Sequence, residues 1–126
     1  MAKWIAFPYD ATSYRRSPVE LERLWPRLHA GDLEPWPDDP KVVAAWALFH
    51  AGEFRKARDA GRKAGGAGIT VANKAQAIYA HYLEPDAGTK LALLLEVAAR
   101  AEAQQDDAPE NPNAWYWQAY ALGRYG

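Results

Sequence analysis

The sequence predicts an all-α fold of antiparallel helix pairs, with about two and a half repeats behind an irregular N-terminal arm. Apolar residues recur at helical spacing in several stretches, prolines and glycines separate those stretches, and small residues return after 35 positions. We expect one domain over residues 1–126. Residues 1–39 would hold the arm and first helix, and residues 40–126 would hold the helix pairs, with the last pair truncated.

Composition excludes several classes of function. The 15 basic and 16 acidic residues leave a net charge of −1, so the chain lacks the basic footprint of a nucleic-acid binder. With no cysteine, disulfides, thiolate metal sites and cysteine nucleophiles are excluded. No stretch approaches the roughly 20 apolar residues of a membrane span, and the N-terminus lacks a signal-like apolar run. We therefore expect a cytoplasmic protein without nucleic-acid or membrane partners.

Residues 1–16 show no clean period and predict an extended arm that packs Trp4, Ile5 and Phe7 onto the first helices; a short strand would have no obvious partner. Ser17, followed by Pro18 and by Glu20 three positions after the serine, is typical of a capping box at a helix start.

The first predicted helix has a one-sided apolar stripe. Its members lie at i, i+3, i+4 and i+7: Leu21, Leu24, Trp25 and Leu28. Pro26 should kink or split this helix, and Gly31 should end it as a left-handed cap.

The proline-rich stretch 33–40 predicts a rigid connector with Trp36 packed against a neighbouring helix. Asp39 and Pro40 then indicate a new helix, from Pro40 to Ala51, and Gly52 marks a turn. A second helix follows from Glu53 to Ala64. Its basic side chains share one face, which we expect to be solvated: Arg55, Lys56, Arg58, Arg62 and Lys63.

Three more helices are predicted after the glycine-rich turn at 65–68. They run from about Thr70 to Leu83, from Ala87 or Thr89 to Ala103, and from Pro112 to Arg124, with a polar loop at 104–113.

Alanines recur at a fixed interval along the predicted helix pairs. Ala80 follows Ala45 by 35 residues, and two further pairs have the same spacing: Ala57 with Ala92, and Ala64 with Ala99. Small side chains at these positions would let paired helices approach closely. A third copy would begin near Ala119.

This pattern resembles the tetratricopeptide repeat. The stretch "AAWALFHAGEFRKARDAGRKA" matches best, with Ala45 in helix A, Gly52 and Phe54 at the turn, and Ala57 and Ala64 in helix B. The second copy lacks the Gly-x-aromatic turn, and the third supplies helix A alone. The resemblance covers roughly residues 40–126 and implies a noncatalytic scaffold that binds a peptide or partner subunit.

The resemblance also implies a binding groove on the face formed by the A helices. Its candidate residues are aromatic, imidazole, aliphatic and acidic: Val42, Trp46, His50, His81, Glu84, Tyr116 and Tyr120. Each of these side chains could equally serve packing.

The sequence offers little for catalysis, cofactor binding or metal binding. His29, His50 and His81 have no zinc-ligand spacing, and the first two precede "AG" turns, where a histidine interacts favourably with a helix C-terminus. We expect no enzyme, no cofactor and no metal. The alternative is a small-ligand-binding or enzyme-associated helical domain, in which a metabolite or ion meets His50, His81 and Glu84.

The last predicted helix carries many large apolar residues and lacks its B partner: Trp115, Trp117, Tyr120, Leu122 and Tyr125. We expect this end to be covered, either by residues beyond this chain or by a second copy in a homo-oligomer.

Overall fold

A computed structural model describes residues 4–6, 8 and 15–125. This part of the chain forms helices and contains no strand, which confirms the all-α prediction. The helices are α1 (Pro18–Leu28), α2 (Pro40–His50), α3 (Phe54–Ala64), α4 (Gly68–Tyr82), α5 (Ala87–Asp107) and α6 (Pro112–Tyr125).

Side-chain caps at the predicted helix starts are confirmed. Ser17 Oγ accepts from the Glu20 backbone N–H at 3.2 Å, and the Ser17 N–H donates to Glu20 Oε1 at 3.1 Å. At the start of α2, Asp39 Oδ1 accepts from the Lys41 N–H at 2.9 Å. Each cap satisfies a backbone donor that the first helical turn leaves unpaired.

The end of α1 differs from the prediction. The helix continues through Pro26 to Leu28, so the expected split does not occur; a proline this near the C-terminus removes a bond only from the last turn. His29, not Gly31, caps the helix, and its backbone N–H donates to the Trp25 carbonyl at 2.9 Å.

Helix α5 extends past its predicted end at Ala103 to Asp107. The glutamines that suggested a loop are buried and bonded to other helices. Gln104 Nε2 donates to Thr70 Oγ1 at 2.9 Å, and Gln105 Nε2 donates to Gln118 Oε1 at 2.7 Å. These distant partners satisfy the amides and hold the extra turn in place.

Helix α4 is the centre of the fold, and it packs against α2, α3, α5 and α6. Each helix from α2 to α5 also packs against the next helix along the chain. Two hydrophobic clusters meet at α4. One includes Trp25, Trp46 and Val71, and the other includes Tyr79, Leu94 and Trp117.

The closest helix crossing joins α3 to α4 through two glycines. A Cβ on Gly61 would clash with the Gly68 carbonyl oxygen and lie 2.9 Å from the Ala72 nitrogen. A Cβ on Gly68 would lie 2.5 Å from the Gly61 carbonyl oxygen. Only glycine at both positions permits this backbone approach.

The 35-residue spacing joins two buried alanines on α2 and α4, but it does not join buried alanines on α3 and α5. Ala45 and Ala80 are fully buried, as is Ala57. Ala92 and Ala99 are exposed instead, because α5 turns its larger side chains inward: Leu93, Leu94 and Val97. Burying these releases more free energy than burying alanine, so they determine which face of α5 meets the core. Ala119, the expected start of a third copy, is also exposed.

The described part of the N-terminal arm packs on α4, and Arg58 of α3 lies over its Trp4 ring at 4.5 Å. Trp4 stacks on Tyr79 with ring centroids 4.3 Å apart, and the Ile5 N–H donates to Tyr79 Oη at 2.9 Å. The predicted contact of Phe7 lies outside the described residues, as does the Tyr125 side chain.

Candidate partner-binding site

The α2 part of the predicted groove is hydrophobic core. Val42 is 2% exposed and Trp46 is 0% exposed. Leu21 and Trp25 of α1 belong to the same buried cluster, and the Trp25 and Trp46 rings meet edge to face at 5.5 Å. A partner therefore cannot touch Val42 or Trp46 in this structure, and the packing role left open by the sequence is the one they fill.

His50, the third predicted groove residue on α2, pairs with His29. Their Nε2 atoms are 2.9 Å apart and their rings are nearly perpendicular, at 89°. His29 Nδ1 lies 2.9 Å from Asp32 Oδ1. With Nδ1–H donating to that carboxylate, the neutral His29 ring has a free Nε2 lone pair, which accepts from His50 Nε2–H.

Two acidic residues hold the loop between α1 and α2 onto later helices. Asp32 Oδ2 accepts from Lys74 Nζ of α4 at 2.8 Å. Glu34 Oε1 accepts from Asn113 Nδ2 of α6, and the Glu34 carbonyl accepts from Trp25 Nε1 at 2.7 Å. These bonds join the loop between α1 and α2 to α4 and to α6.

Burial determines the ionisation of this cluster. Together with the nearby positive charges of His29 and Lys74, it lowers the pKa of His50 to about 3. Burial also lowers the pKa of His29, although Asp32 opposes that shift. Burial raises the pKa of Glu34, which the Asn113 hydrogen bond partly offsets. For Asp32, burial acts to raise the pKa, but the bonds from Lys74 and the Glu34 N–H lower it overall.

The histidine pair predicts a loss of stability in acid. Both pKa values are lower in the folded chain than the usual 6.5, so the unfolded chain binds more protons below about pH 6.5. The stabilisation is present above pH 6.5 and is lost as the pH falls towards 3. Each proton taken up only by the unfolded state costs up to about 1.4 kcal/mol per pH unit. Urea unfolding at pH 7, 6, 5 and 4 measures the slope.

His50→Gln should flatten this slope between pH 6.5 and 4, because the variant has no imidazole to protonate there. His81→Gln is the matched control and should keep the wild-type slope. Equal slopes in wild type and His50→Gln would show that the pair does not couple folding to pH.

The open part of the predicted face lies where α4 ends beside α6, and we call it the aromatic patch: His81, Tyr82, Tyr116 and Tyr120. The His81 and Tyr120 centroids are 6.2 Å apart, as are those of Tyr116 and Tyr120. Tyr82 is 69% exposed and Tyr116 is 52% exposed. Helices α4 and α6 thus bring together three of the seven candidate residues: His81, Tyr116 and Tyr120. We add Tyr82 to the patch because its ring centroid lies 4.3 Å from that of His81.

Glu84 forms hydrogen bonds with residues close to it in the chain. It is 8% exposed, accepts from Tyr79 Oη at 2.8 Å and accepts from the Asp86 N–H at 3.0 Å. No hydrogen bond or ring contact between described residues joins His50, His81 and Glu84, the set on which the small-ligand alternative depended.

Sequence reasoning missed Asp32, Lys74, Glu34 and Asn113, which no local spacing connects. The histidine pair did leave a signal, because "LHAGDL" at 28–33 echoes "FHAGEF" at 49–54 and puts His29 and His50 at equivalent places.

The described residues thus form an all-α fold with an exposed aromatic patch on α4 and α6. No protein-family model, curated protein or solved structure matches the chain. Among the described residues, no cluster of three or more histidine or acidic side chains could hold a metal ion, and no helix is long and apolar enough to cross a membrane.

Proposed function

We propose that this chain is a noncatalytic protein-interaction scaffold that resembles tetratricopeptide repeat proteins and binds a peptide segment or partner subunit through the aromatic patch. We also propose a cytoplasmic location, on the ground of the cysteine-free composition. The scaffold proposal is supported by the helix contacts: each helix from α2 to α5 packs against the next along the chain, and α4 also packs against α2 and α6. Helix pairs stacked in this way bury a continuous core and leave one helix of each pair along a common face.

The aromatic patch is the observation that carries the proposal. Tyrosine is enriched at protein interfaces, because its ring supplies apolar area and its hydroxyl supplies a hydrogen bond. Tyr82 and Tyr116 are more than half exposed, yet each touches another patch ring. Arg124 also lies over the Tyr120 ring at 4.8 Å, so the patch borders a cation. Clustered exposed aromatics of this kind are typical of partner-binding sites.

The patch is exposed, whereas the candidate residues Val42 and Trp46 of α2 are buried. The loop carrying Asp32 and Glu34 is bonded to Lys74 and Asn113, and α1 covers Trp46. We therefore place partner binding at His81, Tyr116 and Tyr120 of the predicted set, with Tyr82 added.

Affinity capture from the native cell extract, read by mass spectrometry, tests the proposal. The double variant of Tyr82→Ala and Tyr116→Ala should capture at least about tenfold less of the specific partner than wild type does. An interface anchor contributes on the order of 1–2 kcal/mol to binding. Capture of a second copy of this chain, with equal sensitivity to the double variant, would identify the partner as a homo-oligomer.

Leu91→Ala with Leu95→Ala is the matched control. These leucines are 37% and 44% exposed and contribute apolar surface on α5, a helix that carries no patch residue. Equal capture by both double variants and wild type would contradict the proposal, provided that all three chains show the same unfolding midpoint.

A further inference from the structure

A second cluster, distinct from the aromatic patch, contains three arginines from two helices. Arg58 and Arg62 lie one turn apart on α3, and Arg100 lies on α5. Arg100 reaches across to α4, where its Nη2 donates to Gln76 Oε1 at 2.7 Å. Gln76 is fully buried, and its Nε2 donates to the Leu93 carbonyl at 2.8 Å. The guanidinium of Arg100 is thus fixed by a rigid amide.

Arg100 is poorly neutralised for a group so enclosed. Its side chain is 14% exposed, and the carboxylate paired with it, Glu96 Oε1, lies 3.9 Å from Nη2, beyond hydrogen-bond reach. The other terminal nitrogen, Nη1, is buried with no hydrogen-bond partner among the described residues. An enclosed cation with an unused donor is costly unless an anion accepts from it.

Like charges surround Arg100. The charge of Arg62 acts on it more strongly than that of Glu96, and Arg58 adds to the repulsion. Together with burial, which is the largest cause, these charges lower the pKa of Arg100 to about 10. Arg58 is paired with Asp59 at 2.7 Å and lies over the Trp4 ring at 4.5 Å. No described residue forms an ion pair with Arg62, which is exposed.

We propose that Arg62 and Arg100 bind a phosphate-sized oxyanion, with Arg58 adding positive charge at the edge of the site. A tetrahedral oxyanion accepts several charge-assisted N–H bonds at once, and the planar guanidinium fork matches its oxygens. One such ion would relieve the repulsion between the two arginines and use the free donor of Arg100. Arg62 has a long, exposed side chain, so it can reorient to contact the ion. The ligand is inorganic phosphate or the phosphate group of a small monoester.

Calorimetric titration of the full chain with inorganic phosphate, at an ionic strength held constant with sodium chloride, tests the site. We expect saturable binding that weakens at least tenfold in Arg62→Gln and in Arg100→Gln. Lys63→Gln is the matched control: it removes the same charge from the next exposed position of α3 and should bind phosphate like wild type. A parallel titration with glycerol 3-phosphate distinguishes the sources, since tighter binding than phosphate assigns the site to a monoester and weaker binding assigns it to the free ion.

Three results would overturn the proposal. The first is a titration with no saturable heat beyond that of chloride. The others are an equal loss of phosphate affinity in Lys63→Gln and Arg62→Gln, or an unchanged phosphate affinity in Arg62→Gln. If Arg100→Gln does not fold, Arg62→Gln decides alone, because an exposed side chain without a partner can be replaced at little cost to stability. The double variant of the aromatic patch should still bind phosphate, so this site and the proposed partner site can fail separately.

Discussion

Trp46→Ala is expected to lower the free energy of unfolding by about 3–5 kcal/mol, the usual cost of removing a large aromatic side chain from a core. Trp46 is fully buried, and its ring meets Trp25 edge to face at 5.5 Å and His29 at 4.6 Å. The cavity would lie between α1 and α2, which share few other contacts. For a chain of this size the loss is a large part of its total stability. Denaturant unfolding followed by circular dichroism measures it.

Two further variants separate packing from other effects. Trp115→Ala removes the same side chain from a position that is 52% exposed, and should change stability by less than about 1 kcal/mol. Trp46→Phe keeps most of the volume and removes an indole N–H that is buried without a described partner, so it should cost clearly less than alanine. Similar losses in Trp46→Ala and Trp115→Ala would contradict the placement of Trp46 in the core.

Gly61→Ala is expected to destabilise the chain by about 1–3 kcal/mol or more, even though alanine is the better helix former. Its Cβ would clash with the Gly68 carbonyl oxygen and lie 2.9 Å from the Ala72 nitrogen. Both obstacles are backbone atoms of α4, so α3 and α4 would have to move apart as units. The thermal unfolding midpoint should fall accordingly.

Gly123→Ala is the control, because it makes the same change within α6, where an added Cβ meets nothing within 4 Å. This variant should gain up to about 1 kcal/mol from the higher helix propensity of alanine. A Gly61→Ala chain as stable as wild type would mean that the close α3–α4 crossing does not form.

The starts of α1 and α2 could be predicted from the sequence because each depends on neighbouring residues. The capping box of Ser17 and Glu20 and the cap of Asp39 are local hydrogen bonds between nearby positions. The end of α5 could not be predicted, since Gln104 is held in helix by Thr70, a residue on another element. The exposure of Ala92 could not be predicted either, because which face a helix buries depends on all its side chains together. The larger side chains of Leu93 and Leu94 are buried instead.

The packing of the candidate groove residues was predicted in part. Spacing placed His81 and Tyr120 on helices that do lie together, and their rings are 6.2 Å apart. The spacing could not show that α1 would cover Trp46, because the position of α1 depends on how the connector at 33–40 folds back. The bonds from this loop to Lys74 and Asn113 span 42 and 79 residues, and no local pattern encodes them.

Photo-crosslinking at single positions tests the central claim, partner binding through the aromatic patch, most directly. A benzophenone amino acid replaces Tyr116 in one chain and Leu95 in another, since these side chains are 52% and 44% exposed on α6 and α5. We predict a discrete covalent adduct with a polypeptide from the native extract when the probe is at 116, and none when it is at 95. An adduct at 95 alone, or the same products from both positions, would contradict the account.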